Sequence, residues 1–157
     1  MRWLKNWWPA LIWAVAISGF STGAFTSEHT SLVIIPVLRW LLPHASPQTL
    51  EYIHHIIRKC AHLTEYFILS LLILRGIRAG RPGTRWAWAL ATVAIVAGYA
   101  SLDELHQSFV PGRTAAVTDV LIDTSGGIAG QLAAALMMRR SQARNKSKEP
   151  SGVPTNA

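Results

Sequence analysis

Apolar residues along the chain form four long stretches separated by short polar segments. The stretches cover residues 9–25, 66–77, 86–102 and 120–138. A transmembrane helix needs about 20 mainly apolar residues, and each stretch reaches that length when its polar neighbours are included. The pattern predicts an all-α polytopic membrane helical bundle formed by residues 1–140, with spans at about 7–25, 57–76, 86–104 and 118–138.

Two shorter features lie between the first and second spans. Residues 28–45 contain "SLVIIPVLRWLLP", which is too short to cross a bilayer and is interrupted by Pro36. This pattern is typical of an interfacial helix or a re-entrant piece at the outer surface. In "ASPQTLEY", Ser46 suits a helix N-cap and Pro47 the first helical position. The helix that starts here is expected to continue to about Arg75.

The two ends of the sequence differ in character. The first span has a basic start and is followed by "STGAF", so a cleaved signal peptide is an alternative that would leave three spans. Residues 141–157 are polar and contain Pro and Gly, which predicts a disordered cytoplasmic tail. The single cysteine, Cys60, cannot form an internal disulfide.

Composition and charge support a membrane location. Half of the residues are hydrophobic and 15% are charged, a balance that is rare in a small soluble domain. The net charge is +7. If both termini are cytoplasmic, eleven Lys and Arg residues lie inside and four outside, as the positive-inside rule requires. The charge therefore indicates topology, and no nucleic-acid partner is expected.

Polar residues recur on one side of three predicted spans. Arg58, His62 and Glu65 share a helix face because they are four and three residues apart. At about 1.5 Å per helical residue, the polar groups of all three helices fall in the outer half of the bilayer. The residues on the other two helices are Asp103, Glu104, Gln107, Asp119 and Asp123.

These groups are expected to form one inward-facing cluster. A charge at mid-bilayer costs about 2.5–3.5 kcal/mol on insertion scales, so isolated charges facing lipid are disfavoured. Arg58, Lys59 and Arg113 would partly neutralise the carboxylates. Below the cluster, Gly126 and Gly130 form a GxxxG pair that allows close helix packing.

Three ordered motifs, "RKCAHLTEY", "DELHQSFVPGR" and "DVLIDTSGGIAG", resemble those of the VanZ-like family of bacterial membrane proteins. The resemblance covers roughly residues 54–131 and implies a location in the bacterial inner membrane. It also implies a link to low-level teicoplanin resistance, through the founding member. The motif residues carried over are Lys59, His62, Tyr66, Glu104, Gln107, Arg113, Asp119 and Gly126. Many members have Asn where this chain has Asp123, so a simple amide role does not transfer to that position.

Several functions fit the cluster. The first is a binding site for the head group of a cell-envelope lipid or lipid-linked cell-wall precursor, in which cations contact phosphate or carboxylate oxygens. The excess of carboxylates fits better if a divalent cation accompanies the ligand. The predicted ligand-contacting residues are Arg58, Lys59, His62, Glu65, Tyr66, Asp103, Glu104, Gln107, Arg113, Asp119 and Asp123.

The alternatives are an intramembrane enzyme, a transport or partner subunit, and a purely structural cluster. In an enzyme, His62 with Glu65 or Glu104 would act as acid and base, and Glu104, Asp119 and Asp123 are the candidate metal ligands. No HExxH, GxSxG or P-loop motif is present. The glycine pair permits a homo-oligomer. Polar side chains also stabilise membrane helix packing by about 0.6 kcal/mol each.

Overall fold

The described part of the chain folds into five α-helices, and the predicted all-α bundle is confirmed. The computed structural model describes residues 2–22, 26–83, 85–110 and 116–147. The helices are α1 Arg2–Phe20, α2 Ser27–Leu41, α3 Pro47–Arg78, α4 Trp86–Gln107 and α5 Val117–Lys146.

Three of these helices, α3, α4 and α5, are long and apolar enough to cross a membrane. The expected count of four spans is not confirmed, because α1 is not in this group. Its 19 residues include Lys5, Asn6 and four tryptophans, which lower the mean hydropathy of the helix.

Helix α3 organises the bundle, because each of the other four helices packs against it. Its start is the predicted one: the Ser46 hydroxyl accepts the backbone N–H of Thr49 at 3.2 Å, and Pro47 occupies the first turn. It ends at Arg78, three residues beyond the predicted end, with Ala79 in the left-handed conformation at φ 47°. At about 1.5 Å per residue, its 32 residues exceed the roughly 30 Å hydrocarbon core.

The predicted glycine pair lies where α5 packs against α3. A Cβ on Gly126 would lie 2.4 Å from the Leu63 carbonyl oxygen, and one on Gly130 would lie 2.9 Å from the Phe67 carbonyl oxygen. Only residues without side chains allow the two backbones to approach so closely. The pair is therefore used within one chain, and this surface is not available for a homo-oligomer.

Helix α2 forms where the sequence predicted an interfacial segment, but Pro36 does not break it. The Thr26 side chain caps its start, and the hydrogen bond from the Leu42 N–H to the Leu38 carbonyl closes its last turn. These contacts, with burial of Leu38, offset the hydrogen bond that a proline removes. The helix exposes an apolar surface suited to a membrane interface, formed by Leu32, Val33, Val37, Trp40 and Leu41.

The predicted tail is partly helical, which corrects the expectation of disorder from residue 141 onward. Helix α5 continues to Lys146. Residues 141–146 contain the helix-favouring types Gln, Ala, Arg and Lys, and the first proline of the tail comes only at Pro150. Residues 148–157 lie outside the described part of the chain.

Candidate functional site

The polar residues of α3, α4 and α5 lie near one end of the bundle. They occupy the middle of α3, the last turns of α4 and the first turns of α5. The opposite end, where α3 stops and α4 starts, carries basic residues. The two ends are called here the polar end and the basic end. The structure thus brings together most of the residues selected from the sequence, and it divides them into groups with different roles.

The first group fastens α4 to the end of α1. The Ser21 hydroxyl donates to Asp103 Oδ2 at 2.7 Å, and Gln107 Nε2 donates to the same oxygen at 2.9 Å. Gln107 Nε2 also reaches the Ser21 hydroxyl at 3.4 Å. All three side chains are buried. Asp103 and Gln107 therefore contribute to helix packing. Ser21, which follows the last residue of α1, was missed because a serine within the first predicted span carries no distinguishing signal.

Glu104 holds the connection between α4 and α5. Its Oε1 accepts the backbone N–H of Ala116, which is the N-cap residue of α5. Ala116 has no side-chain oxygen with which to cap that helix, so the carboxylate of Glu104 binds at its start instead. Arg113, in the same connection, lies outside the described residues.

Lys59 and Asp119 form an ion pair between α3 and α5. Lys59 Nζ lies 3.6 Å from Asp119 Oδ1, and both side chains are partly exposed. Exposed pairs of this kind contribute about 0–1 kcal/mol.

Among the described residues, no three His, Cys, Asp or Glu side chains come together as a metal site. Glu104, Asp119 and Asp123 stay candidate metal ligands predicted from the sequence.

The remaining group is buried and is not explained by helix packing. His62 Nδ1 lies 3.6 Å from Asp123 Oδ1. Asp123 is 2% exposed and Tyr66 is fully buried. Within the described part of the chain, neither Tyr66 Oη nor Asp123 Oδ1 has a hydrogen-bond partner. Buried polar atoms without partners are rare in native proteins, so this group calls for a functional explanation.

Next to this group lies a groove between α1, α2 and α3. Arg58 Nη1 donates to the Thr30 hydroxyl at 3.0 Å, and that hydroxyl lies 3.1 Å from His54 Nε2. Helix α2 therefore contributes to the site through Thr30, a residue that no motif or spacing in the sequence indicated. The groove has a volume of about 270 Å³ and is called here the Arg58 groove; its lining residues are Phe20, Ser21, Thr30, Arg58, Ala61, His62 and Glu65.

The family comparison agrees with this arrangement of motifs. A family model described as VanZ/LLP1 matches residues 6–138 of the 157-residue chain. The chain belongs to the VanZ-like family. Comparison with curated proteins and with solved structures found no match.

Each VanZ-like motif supplies a different part of the site. The first, "RKCAHLTEY", lies on α3 and provides Arg58, His62, Glu65 and Tyr66. The second, "DELHQSFVPGR", provides the side chains that bind α4 to the end of α1 and to the start of α5. The third motif lies on α5. It provides Asp123, which lies beside His62, and the glycines that let α5 pack close to α3. In this VanZ-like chain the carboxylate at position 123 faces an imidazole.

Proposed function

We propose that this VanZ-like membrane protein binds the head group of a cell-envelope lipid or lipid-linked cell-wall intermediate in the Arg58 groove. The observation that carries the proposal is the groove itself, in which a guanidinium, an imidazole and a carboxylate lie between three helices. The guanidinium of Arg58 is always charged and its planar donors suit phosphate or carboxylate oxygens. Glu65 and Ser21 would bind hydroxyl or amine groups of the same head group.

The position of the groove along α3 suits a ligand in the outer leaflet. Arg58 lies 20 residues before Arg78, which corresponds to about 30 Å along the helix, the thickness of the hydrocarbon core. Phe20 and Ala61 in the groove wall would contact the start of the lipid chain. The proposal therefore includes a multi-pass protein of the bacterial inner membrane, with both termini cytoplasmic and the polar end outside.

Such a ligand fits the association of the family with teicoplanin resistance, because glycopeptides act on cell-wall precursors outside the membrane. We extend the proposal to a change in teicoplanin susceptibility. We expect cells that express the wild-type chain to tolerate more teicoplanin than cells that express an Arg58→Gln variant at the same abundance.

Binding can be measured directly with lipid nanodiscs and native mass spectrometry, using a polyprenyl diphosphate as the probe. Arg58→Gln is expected to weaken binding by about tenfold or more, because a hydrogen-bonded charge pair is worth roughly 1.5–3 kcal/mol. Arg39→Gln is the matched control, because Arg39 is exposed on α2 and does not line the groove. Equal binding by the wild type and both variants, all folded, would overturn the proposal.

The orientation has its own test. A topology reporter inserted at residue 80, between α3 and α4, is expected to be cytoplasmic, and one at residue 45, between α2 and α3, is expected to be external. The opposite readings would place the polar end in the inner leaflet and exclude an outer-leaflet ligand.

The His62–Asp123 pair favours a second candidate, an acid/base enzyme acting on the same lipid. A carboxylate beside an imidazole that lines a groove is the arrangement by which a general base is oriented. Incubation with the polyprenyl diphosphate would then yield a hydrolysed product, and His62→Gln would abolish its formation while leaving the lipid bound. Binding without any product would leave the first proposal standing alone.

A further inference from the structure

A second groove lies at the basic end of the bundle, far from the Arg58 groove. It is formed by the end of α3, the start of α4 and residues 131–139 of α5, and its volume is about 220 Å³. Three arginines line it: Arg78 from α3, Arg85 at the start of α4 and Arg139 from α5. Because they come from different helices, only the folded bundle brings them together.

No described acidic side chain lies close to these arginines along the three helices. The nearest on each helix are Glu65, Asp103 and Asp123, and each is at least 13 residues from the arginine of its own helix. Their carboxylates therefore lie about 20 Å or more along the helix axes. The basic groove has a positive charge that the described residues do not neutralise.

Two of the arginines have donors available for a ligand. The Arg85 guanidinium lies over the Trp88 ring, 5.2 Å from its centroid, and its side chain makes no hydrogen bond or ion pair with the described residues. The Arg139 side chain makes no hydrogen bond or ion pair within the described part of the chain. A guanidinium stacked on an aromatic ring keeps its in-plane N–H donors free.

The groove continues into an apolar part lined by Leu74, Ala135 and Met138. Trp86, which is 78% exposed, and Trp88 stand at its entrance on α4. Tryptophans at this level are typical of the bilayer interface, where head groups meet acyl chains. Fixed positive charge beside an apolar surface is complementary to an anionic amphiphile rather than to a soluble anion.

We propose that the basic groove is a specific binding site for an anionic glycerophospholipid. The phosphate would be held by Arg85 and Arg139, with Arg78 adding charge, and an acyl chain would lie along Leu74, Ala135 and Met138. Basic pockets between transmembrane helices bind anionic head groups in this way. The site is separate from the Arg58 groove and does not depend on the function proposed for it.

The test is native mass spectrometry of the whole protein in neutral detergent with added phosphatidylglycerol or phosphatidylcholine. The wild type is expected to retain one phosphatidylglycerol at concentrations at which phosphatidylcholine does not bind. The double variant Arg85→Gln/Arg139→Gln should bind phosphatidylglycerol about tenfold less tightly or worse. The double variant Arg140→Gln/Arg144→Gln removes the same charge from exposed residues outside the groove and should bind as the wild type does.

Three outcomes would overturn the proposal. Equal losses in the two double variants would show only a diffuse attraction to basic helix ends. Equal retention of both lipids would remove the requirement for negative charge. Competition by inorganic phosphate at the same concentration as the lipid would indicate a site for free phosphate. If Arg85→Gln/Arg139→Gln does not fold, Ala135→Phe fills the apolar part without changing charge and is expected to give the same loss.

Discussion

Replacing Gly126 by alanine is expected to destabilise the protein strongly, although the change adds only one methyl group. The new Cβ would lie 2.4 Å from the Leu63 carbonyl oxygen and 3.1 Å from its carbonyl carbon. Both atoms belong to the backbone of α3, so no side-chain rotation relieves the overlap. The two helices must move apart, and overpacking of this kind costs about 3 kcal/mol.

Gly98→Ala is the matched control, because Gly98 lies within α4 and a Cβ there would have no atom within 4 Å. In an unobstructed helix, alanine is more favourable than glycine by about 1 kcal/mol. The same chemical change is thus expected to raise stability at one position and lower it at the other. Thermal unfolding in detergent, followed by circular dichroism, measures both. An unchanged midpoint for Gly126→Ala would mean that α3 and α5 are not in close contact.

The two buried aspartates are expected to respond differently to replacement by alanine. Asp103→Ala removes the oxygen that accepts hydrogen bonds from Ser21 and Gln107 and leaves both donors buried without it. Each buried donor that loses its partner costs about 1–3 kcal/mol. Gln107 Nε2 keeps its longer contact with the Ser21 hydroxyl. The variant is therefore expected to lose about 1–3 kcal/mol of unfolding free energy, mainly from the Ser21 donor.

Asp123→Ala removes the same atoms from a position that is at least as buried, so it controls for the lost volume. Its Oδ1 accepts no hydrogen bond from the described residues, so removing that oxygen leaves no described donor without its partner. The free energy of unfolding, from denaturant titration in detergent, is expected to change much less than for Asp103→Ala. A larger loss at Asp123 than at Asp103 would show that Asp123, paired with His62, stabilises the bundle rather than serving the groove.

Some polar residues of the cluster make helix-packing contacts and others lie at the Arg58 groove. The cluster therefore has more members than a binding site alone would need. Asp103 and Gln107 hold α4 against Ser21, which lines the Arg58 groove, and Glu104 binds the start of α5. His62 joins these walls to the buried carboxylate of Asp123. We therefore expect the structural contacts and the proposed ligand contacts to involve different residues of the same sequence motifs.

The sequence by itself determined the helical class, the N-cap at Ser46, the long third helix and the close approach at Gly126 and Gly130. These features are local: they depend on apolar period, capping chemistry and the absence of a side chain. The sequence also placed the polar residues at similar depths, because rise per residue is constant in a helix.

Only the tertiary structure decided which polar groups meet. The rotation of each helix about its axis determines whether a carboxylate faces a hydroxyl, an imidazole or a backbone N–H. Sequence spacing gives the depth of a residue along its helix but not the rotation of that helix relative to its neighbours. The sequence predicts Asp103 and Asp123 in one cluster. In the structure, Asp103 accepts two hydrogen bonds, whereas Asp123 lies beside the imidazole of His62. The contributions of Ser21 and Thr30, and the meeting of three arginines at the basic end, arise in the same way, from contacts between residues far apart in sequence.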